Sequence, residues 1–252
     1  MVPEHPRLVL VRHGESTGNA DGLFSGILDV PLTDTGRNEA RGAAALLRAA
    51  SIDPDVVVTS TLQRSVESAR IIVDHLAARS RTVVADWHLN ERNYGALTGL
   101  SKTAVRTEYG AEAFREWRRS MNGRPPALAD DAFARLTASA AFEGQPADAM
   151  TRTESLRDVI LRLHPLVDDR IDPALTRGDT VLVVGHGNSL RALRALLDHL
   201  DDAAVRDLNI PTGHPFVYDT GAHGSPISRS GRYLDPARAE RAAITLAHEG
   251  GT

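Results

Sequence analysis

Short runs that are apolar from end to end recur along this chain, separated by stretches of helical character. That alternation restricts the fold more than any other feature of the sequence. Leu8–Val11 is the first such run, and "PDVVVTS" (54–60), "RTVVAD" (81–86), "GDTVLVVGHGNS" (178–189) and "HPFVYDT" (214–220) follow. Strands without polar alternation are buried on both faces, as in a largely parallel sheet covered by helices. Between them, "LTDTGRNEARGAAALLRAA" (32–50) reads as a helix with Thr33 or Thr35 as N-cap. "TLQRSVESARIIVDHLAA" (61–78) puts Val66, Ala69, Ile72, Val73 and Leu76 on one helical face, and "NSLRALRALLDHL" (188–200) is a third helix. The expected fold is therefore α/β: a mostly parallel central sheet with helices on both faces. Residues 95–152 hold no clear strand, are rich in Arg, Glu and Ala, and are expected to form a mainly helical insertion over the active-site edge. Residues 234–252 form a C-terminal tail, with Asp235 capping a short helix that has Pro236 at its first position and an "EGGT" end expected to fray. The chain, 1–252, is read as one domain.

Composition excludes several function classes. A net charge of −4 gives no bulk attraction to nucleic acid or to an anionic membrane. The chain has no cysteine, hence no disulfide framework and no thiolate chemistry. The first residues lack the apolar region and cleavage site of a secretory signal, and no apolar stretch is long enough to span a bilayer. A cytoplasmic protein is expected. Lys102 is the only lysine among the 29 basic residues, a hint that this position needs an ammonium group. The sequence leaves the oligomeric state open, a homo-oligomer included.

Two strand ends echo one another. "VLVRHGES" and "VLVVGHGNS" each run from an apolar strand into His-Gly and then a serine. In a parallel α/β sheet, ligands bind outside the carboxyl ends of the strands. If these strands are neighbours, about 5 Å apart, His13 and His186 can face one ligand. Arg12 adjoins His13, and Arg64 lies near the start of the helix after the second strand, at the same sheet edge, where unpaired backbone N–H groups also favour phosphate. Arg118 and Arg119 are paired in the insertion. Glu91, in "LNERNYGALTGLSK", becomes a candidate acid/base if its loop bends into the same pocket. Neither histidine belongs to a metal-binding motif.

"RHGESTGN", "FSG", "LTDTGRNEA", "TSTLQRS", "LNERNYGALTGLSK", "WRR", "TESL", "VVGHGNSLRAL" and "NIPTG" occur in the order and spacing of the cofactor-dependent phosphoglycerate mutases of the histidine phosphatase superfamily. The chain resembles that family over roughly residues 8–218. The resemblance implies that 2- and 3-phosphoglycerate are interconverted through a phosphohistidine primed by 2,3-bisphosphoglycerate, without a metal. It implies that His13 is the nucleophile, Glu91 the general acid/base, and His186 a group stabilising the transferring phosphoryl. It implies that Arg12 and Arg64 bind that phosphoryl with Asn19, Ser25 and Gly26 in the same pocket. Tyr94, Lys102, Arg118, Arg119, Gly187 and Asn188 would contact the rest of the phosphoglycerate. The sequence departs from the family at Ser25 (usually Thr) and Asn93 (commonly His), and residues 127–152 lack the usual signals before "TESL". Phosphoryl transfer asks a protein for positioning and charge neutralisation, which arginines and an imidazole supply.

The rival within the superfamily is a histidine phosphatase that hydrolyses small phosphate monoesters through the same phosphohistidine. Lys102, Arg118 and Arg119 argue against it, since gripping a carboxylate and a second phosphate is a mutase need. A non-catalytic phospho-ligand binder would be expected to have lost Glu91 or one of the two histidines.

Overall fold

The computed structural model describes residues 6–76, 82–221, 225–226 and 228–248. Six strands, β1 (Arg7–Arg12), β2 (Val56–Thr59), β3 (Val83–Ala85), β4 (Val181–Gly185), β5 (Phe216–Asp219) and β6 (Arg232–Tyr233), form one sheet in the order β3-β2-β4-β1-β5-β6. β3, β2, β4 and β1 run parallel, while β5 and β6 extend the sheet antiparallel to their neighbours. The continuous apolar runs account for the parallel part. Successive residues of one strand feed two separate cores: Leu8 and Leu10 pack on one side, Val9 and Val11 on the other.

Ten helices are described: α1 (Thr17–Ala20), α2 (Asp34–Ala49), α3 (Gln63–Leu76), α4 (Lys102–Arg119), α5 (Asp130–Thr137), α6 (Leu156–Leu166), α7 (Asp172–Thr176), α8 (Gly187–Asp198), α9 (Asp202–Asp207) and α10 (Pro236–His248). The small face of α2, Ala40, Ala43, Ala44 and Leu47, packs with Ala69, Ile72 and Val73 of α3 on one side of the sheet. Leu156, Val159, Leu163 and Leu166 of α6 pack with Leu190 and Leu193 of α8 on the other. Thr33 caps α2, its hydroxyl accepting from the Gly36 N–H at 3.1 Å. The Asp235 carboxylate likewise accepts from the Arg238 N–H, with Pro236 opening α10.

Several elements go beyond those expected from sequence, α1 and α9 among them. The helical run from Leu156 through a π turn (Val167–Ile171) to Thr176 carries Pro165 and Pro173, residues that punctuate helices, and burial of its apolar face outweighs that. Leu156 follows the Ser155 cap, whose hydroxyl pairs with Asp158 in a capping box. β6 is only two residues long, too short to leave a periodic signal. Between residues 95 and 152 the regular structure is α4, bent at Gly110 (φ 82°), and α5 with short 3₁₀ turns. The "EGGT" end lies outside the described residues.

Candidate active site

β1 and β4 are direct neighbours in register, with Arg12 opposite Gly185. The His13 N–H donates to the Gly185 carbonyl at 2.9 Å. The two histidines that follow these strand ends therefore meet: their ring centroids are 4.8 Å apart, edge to face. Gly14 is what lets the start of α2 approach so closely here. A β-carbon on it would stand 2.0 Å from the Gly36 carbonyl oxygen at the start of α2.

The tautomer of His13 follows from its partners. Nδ1 lies 2.6 Å from the Gly14 carbonyl oxygen, which can only accept, so Nδ1 carries the proton. Nε2 keeps its lone pair and accepts from Arg64 Nε at 3.3 Å. The remaining Arg64 donors hold the carbonyls of Leu28 (2.6 Å) and Gly26 (2.7 Å), tying the 25–28 loop to the same guanidinium. His186 Nε2 lies 2.7 Å from the Ser60 hydroxyl. Both imidazoles are held well below the ordinary value of 6.5, first by burial and then by the Arg64 cation. Both are therefore neutral at physiological pH. Arg12 donates to the Ile210 carbonyl at 2.8 Å.

The loop after β3 does bend into this site. The Glu91 carboxylate accepts from the Arg92 N–H (2.7 Å) and the Asn188 N–H (3.2 Å). Asn188 Nδ2 in turn donates to the Tyr94 hydroxyl at 2.9 Å. Asn93 supports the loop, with its side chain donating to the Thr151 carbonyl and accepting from the Gly95 N–H.

A cleft of about 720 Å³ opens above these groups. Of the residues singled out in the sequence, Arg12, Asn19, Ser25, Gly26, Glu91, Tyr94, Lys102, Arg118 and Asn188 line it. His13, Arg64 and His186 are buried beneath, and Gly187 is buried at the first turn of α8. Arg118 is packed against the rings of Phe24 and Phe114 and pushed down to about 10 by burial, so it stays charged. Arg119 is directed elsewhere. Its guanidinium donates to the carbonyls of Arg206 (2.6 Å) and Leu208 (3.1 Å), at the end of α9. Asn19 caps α1, its Oδ1 accepting from the Ser16 N–H at 3.1 Å.

Not foreseen from the sequence were Ser60, which meets His186, and the cleft-lining Glu15, Glu39 and α10 residues Ala242, Thr245 and Leu246. Ser60 had a usable signal, since it follows β2 where His186 follows the adjacent β4. Nothing local marked α10 as part of the site.

Arg12, Lys102 and Arg118 line the cleft with Glu15, Glu39 and Glu91, and Arg64 is buried beside His13. Arg12 and Arg64 converge on the His13 end of the site, where their fixed charges suit an anionic group. Among the described residues no group of three or more His, Cys, Asp or Glu could hold a metal ion, and no helix is long and apolar enough to cross a membrane.

Comparison with known proteins points the same way. The family described as "Histidine phosphatase superfamily (branch 1)" matches residues 8–138 and 132–230. The chain is 44% identical to a 2,3-bisphosphoglycerate-dependent phosphoglycerate mutase of Corynebacterium glutamicum, over 97% of this chain and 98% of that one. It is 45% identical to the protein of the same name from Thermobifida fusca, over 96% and 98%. Among solved structures, a mycobacterial glucosyl-3-phosphoglycerate phosphatase matches with a TM-score of 0.67 at 25% identity, covering 90% of this chain and 96% of that one. Bacillus stearothermophilus YhfR matches with the same TM-score at 23% identity, covering 89% and 96%, a likeness of fold.

Proposed function

The chain belongs to the histidine phosphatase superfamily, and within it we infer a 2,3-bisphosphoglycerate-dependent phosphoglycerate mutase that interconverts 2-phosphoglycerate and 3-phosphoglycerate. Relatives of that name at 40–45% identity over nearly the whole chain support the reading over a phosphatase. The observation that carries the chemistry is the buried pair His13 and His186, ring to ring, with Arg64 donating to the bare Nε2 of His13.

In this reading His13 Nε2 attacks phosphorus as the P–O bond to the glycerate oxygen breaks and a P–N bond forms. Glu91 gives its proton to the departing oxygen. For the return transfer Glu91 takes a proton from the other hydroxyl, which attacks the phosphohistidine, and the P–N bond breaks. Arg12, Arg64 and neutral His186 stabilise the transferring oxygens. Asn19, Ser25 and Gly26 complete the phosphoryl pocket, while Tyr94, Lys102, Arg118, Gly187 and Asn188 hold the remainder of the glycerate. Arg119 supports that wall from behind, through the carbonyls at the end of α9. Bound bisphosphoglycerate supplies the first phosphoryl group. Arg12 with Arg64, and Lys102 with Arg118, are the cations offered to a ligand with two anionic ends. The proposed setting is the cytoplasm, in glycolysis and gluconeogenesis.

The test is a coupled assay for 2-phosphoglycerate formation from 3-phosphoglycerate with and without added bisphosphoglycerate. A mutase primed in this way gains rate on the addition. Release of inorganic phosphate as the dominant product would overturn the reading in favour of the phosphatase.

A further inference from the structure

Glu91 lies on a stretch, residues 87–94, whose only regular structure is a short 3₁₀ turn at Trp87–Leu89. A general acid on such a stretch needs its backbone held from outside. On one side, Asn90 Oδ1 accepts from the Thr61 N–H and hydroxyl, both at 2.9 Å. On the other, α6 and the turn before it present Arg162 and Glu154. Arg162 donates to the carbonyls of His88, Asn90 (2.6 Å) and Glu91 (3.4 Å). Its Nε donates to Glu154 Oε1 at 2.8 Å. Glu154 Oε2 accepts from the Asn93 N–H at 2.8 Å, and the Glu154 N–H donates to the Asn93 carbonyl at 2.9 Å. Carbonyls at and before Glu91, and the amide two residues after it, are thus gripped by one ion pair from outside the loop. Its side chains are only 11% and 7% exposed.

A buried ion pair is a poor source of stability compared with an apolar pair of the same shape. What the guanidinium offers here is geometry: donors in a rigid fork that can reach three carbonyls of one short loop and a carboxylate together. We propose that Arg162 and Glu154 are the positioning pair of Glu91, fixing its backbone so that the carboxylate meets the oxygen that leaves the phosphoryl group. This rests on Glu91 being the acid–base group. Neither residue touches substrate, and both act through the loop.

The experiment compares phosphohistidine formation at His13 from two donors. Bisphosphoglycerate must release an alkoxide, which needs a proton from Glu91. p-Nitrophenyl phosphate releases a phenolate that leaves without one. Arg162→Lys keeps the charge but loses the fork. It should slow transfer from bisphosphoglycerate by about 30–100-fold, the cost of a displacement of order 1 Å, and transfer from p-nitrophenyl phosphate by less than about threefold. Glu154→Gln should split the two donors in the same direction, and decides the matter if Arg162→Lys does not fold. Glu91→Gln is the reference and should show the widest split. Equal slowing of both donors by the Arg162 and Glu154 variants, or no slowing of either, would overturn the positioning role while leaving Glu91 in place. No split in Glu91→Gln itself would overturn the acid–base reading, and the pair's purpose with it.

Discussion

The imidazole of His13 stands edge-on to that of His186, centroids 4.8 Å apart, with both rings buried beneath the cleft. Two cationic rings at that separation, beside Arg12 and Arg64, would repel one another strongly. Burial first, and the Arg64 cation next, hold both values well below 6.5. The folded protein therefore binds fewer protons at these sites than the unfolded chain once the pH drops below about 6.5. Stability from this source is intact above that pH and is lost as the pH falls toward the folded-state values. The loss is about 1.4 kcal/mol per pH unit for each proton taken up on unfolding. Urea unfolding at pH 7 and at pH 5.5 checks this, and His13→Gln should flatten the dependence by up to one proton. An identical slope in the variant would contradict the burial of a neutral His13.

Arg118 and Arg119 are neighbours in sequence but not in role. Arg118 lines the cleft, while the Arg119 guanidinium is spent on carbonyls at the end of α9. Arg118→Met should lower mutase kcat/KM by at least about tenfold, from loss of a charge-assisted contact of about 1.5–3 kcal/mol. Arg119→Met should register first in stability, by about 1 kcal/mol, as half-buried carbonyls lose their donors. Steady-state kinetics and a thermal melt on each single variant separate the two. Equal kinetic losses with unchanged stability would place Arg119 in the substrate site.

Ser60 gives His186 Nε2 its partner at 2.7 Å. Ser60→Ala leaves that buried nitrogen to orient itself, and kcat should fall by about tenfold, the worth of one hydrogen bond of about 1–1.5 kcal/mol. Ser60→Thr keeps the hydroxyl and should recover most of the rate. A fully active alanine variant would show that His186 is oriented by its packing alone.

The parallel half of the sheet was legible because Val56–Thr59 and Val181–Gly185 are apolar on both faces, a pattern that other folds do not need. His13 and His186 were legible as a pair because each follows such a strand, and the register of β1 with β4 brings them together. Arg162 and Glu154 were not, since a Glu and an Arg eight residues apart read as ordinary helix surface until α6 is seen to face the Glu91 loop. Arg119 differs from Arg118 in what its side chain meets. Adjacent helical residues point about 100° apart, so the two arginines leave α4 in different directions. The cleft wall built by α10 was out of reach for lack of any sequence mark on Ala242, Thr245 or Leu246.

In the proposed reaction the phosphoryl group passes through His13 Nε2. Rapid-quench labelling with bisphosphoglycerate carrying radioactive phosphate tests it directly. The wild-type protein should give an acid-labile, alkali-stable phosphoenzyme that transfers its label to added 2- or 3-phosphoglycerate at a rate no slower than kcat. His13→Gln should give no labelled protein while keeping its fold. Labelled protein in His13→Gln, or turnover faster than the phosphoenzyme discharges, would rule out His13 Nε2 as the phosphoryl carrier.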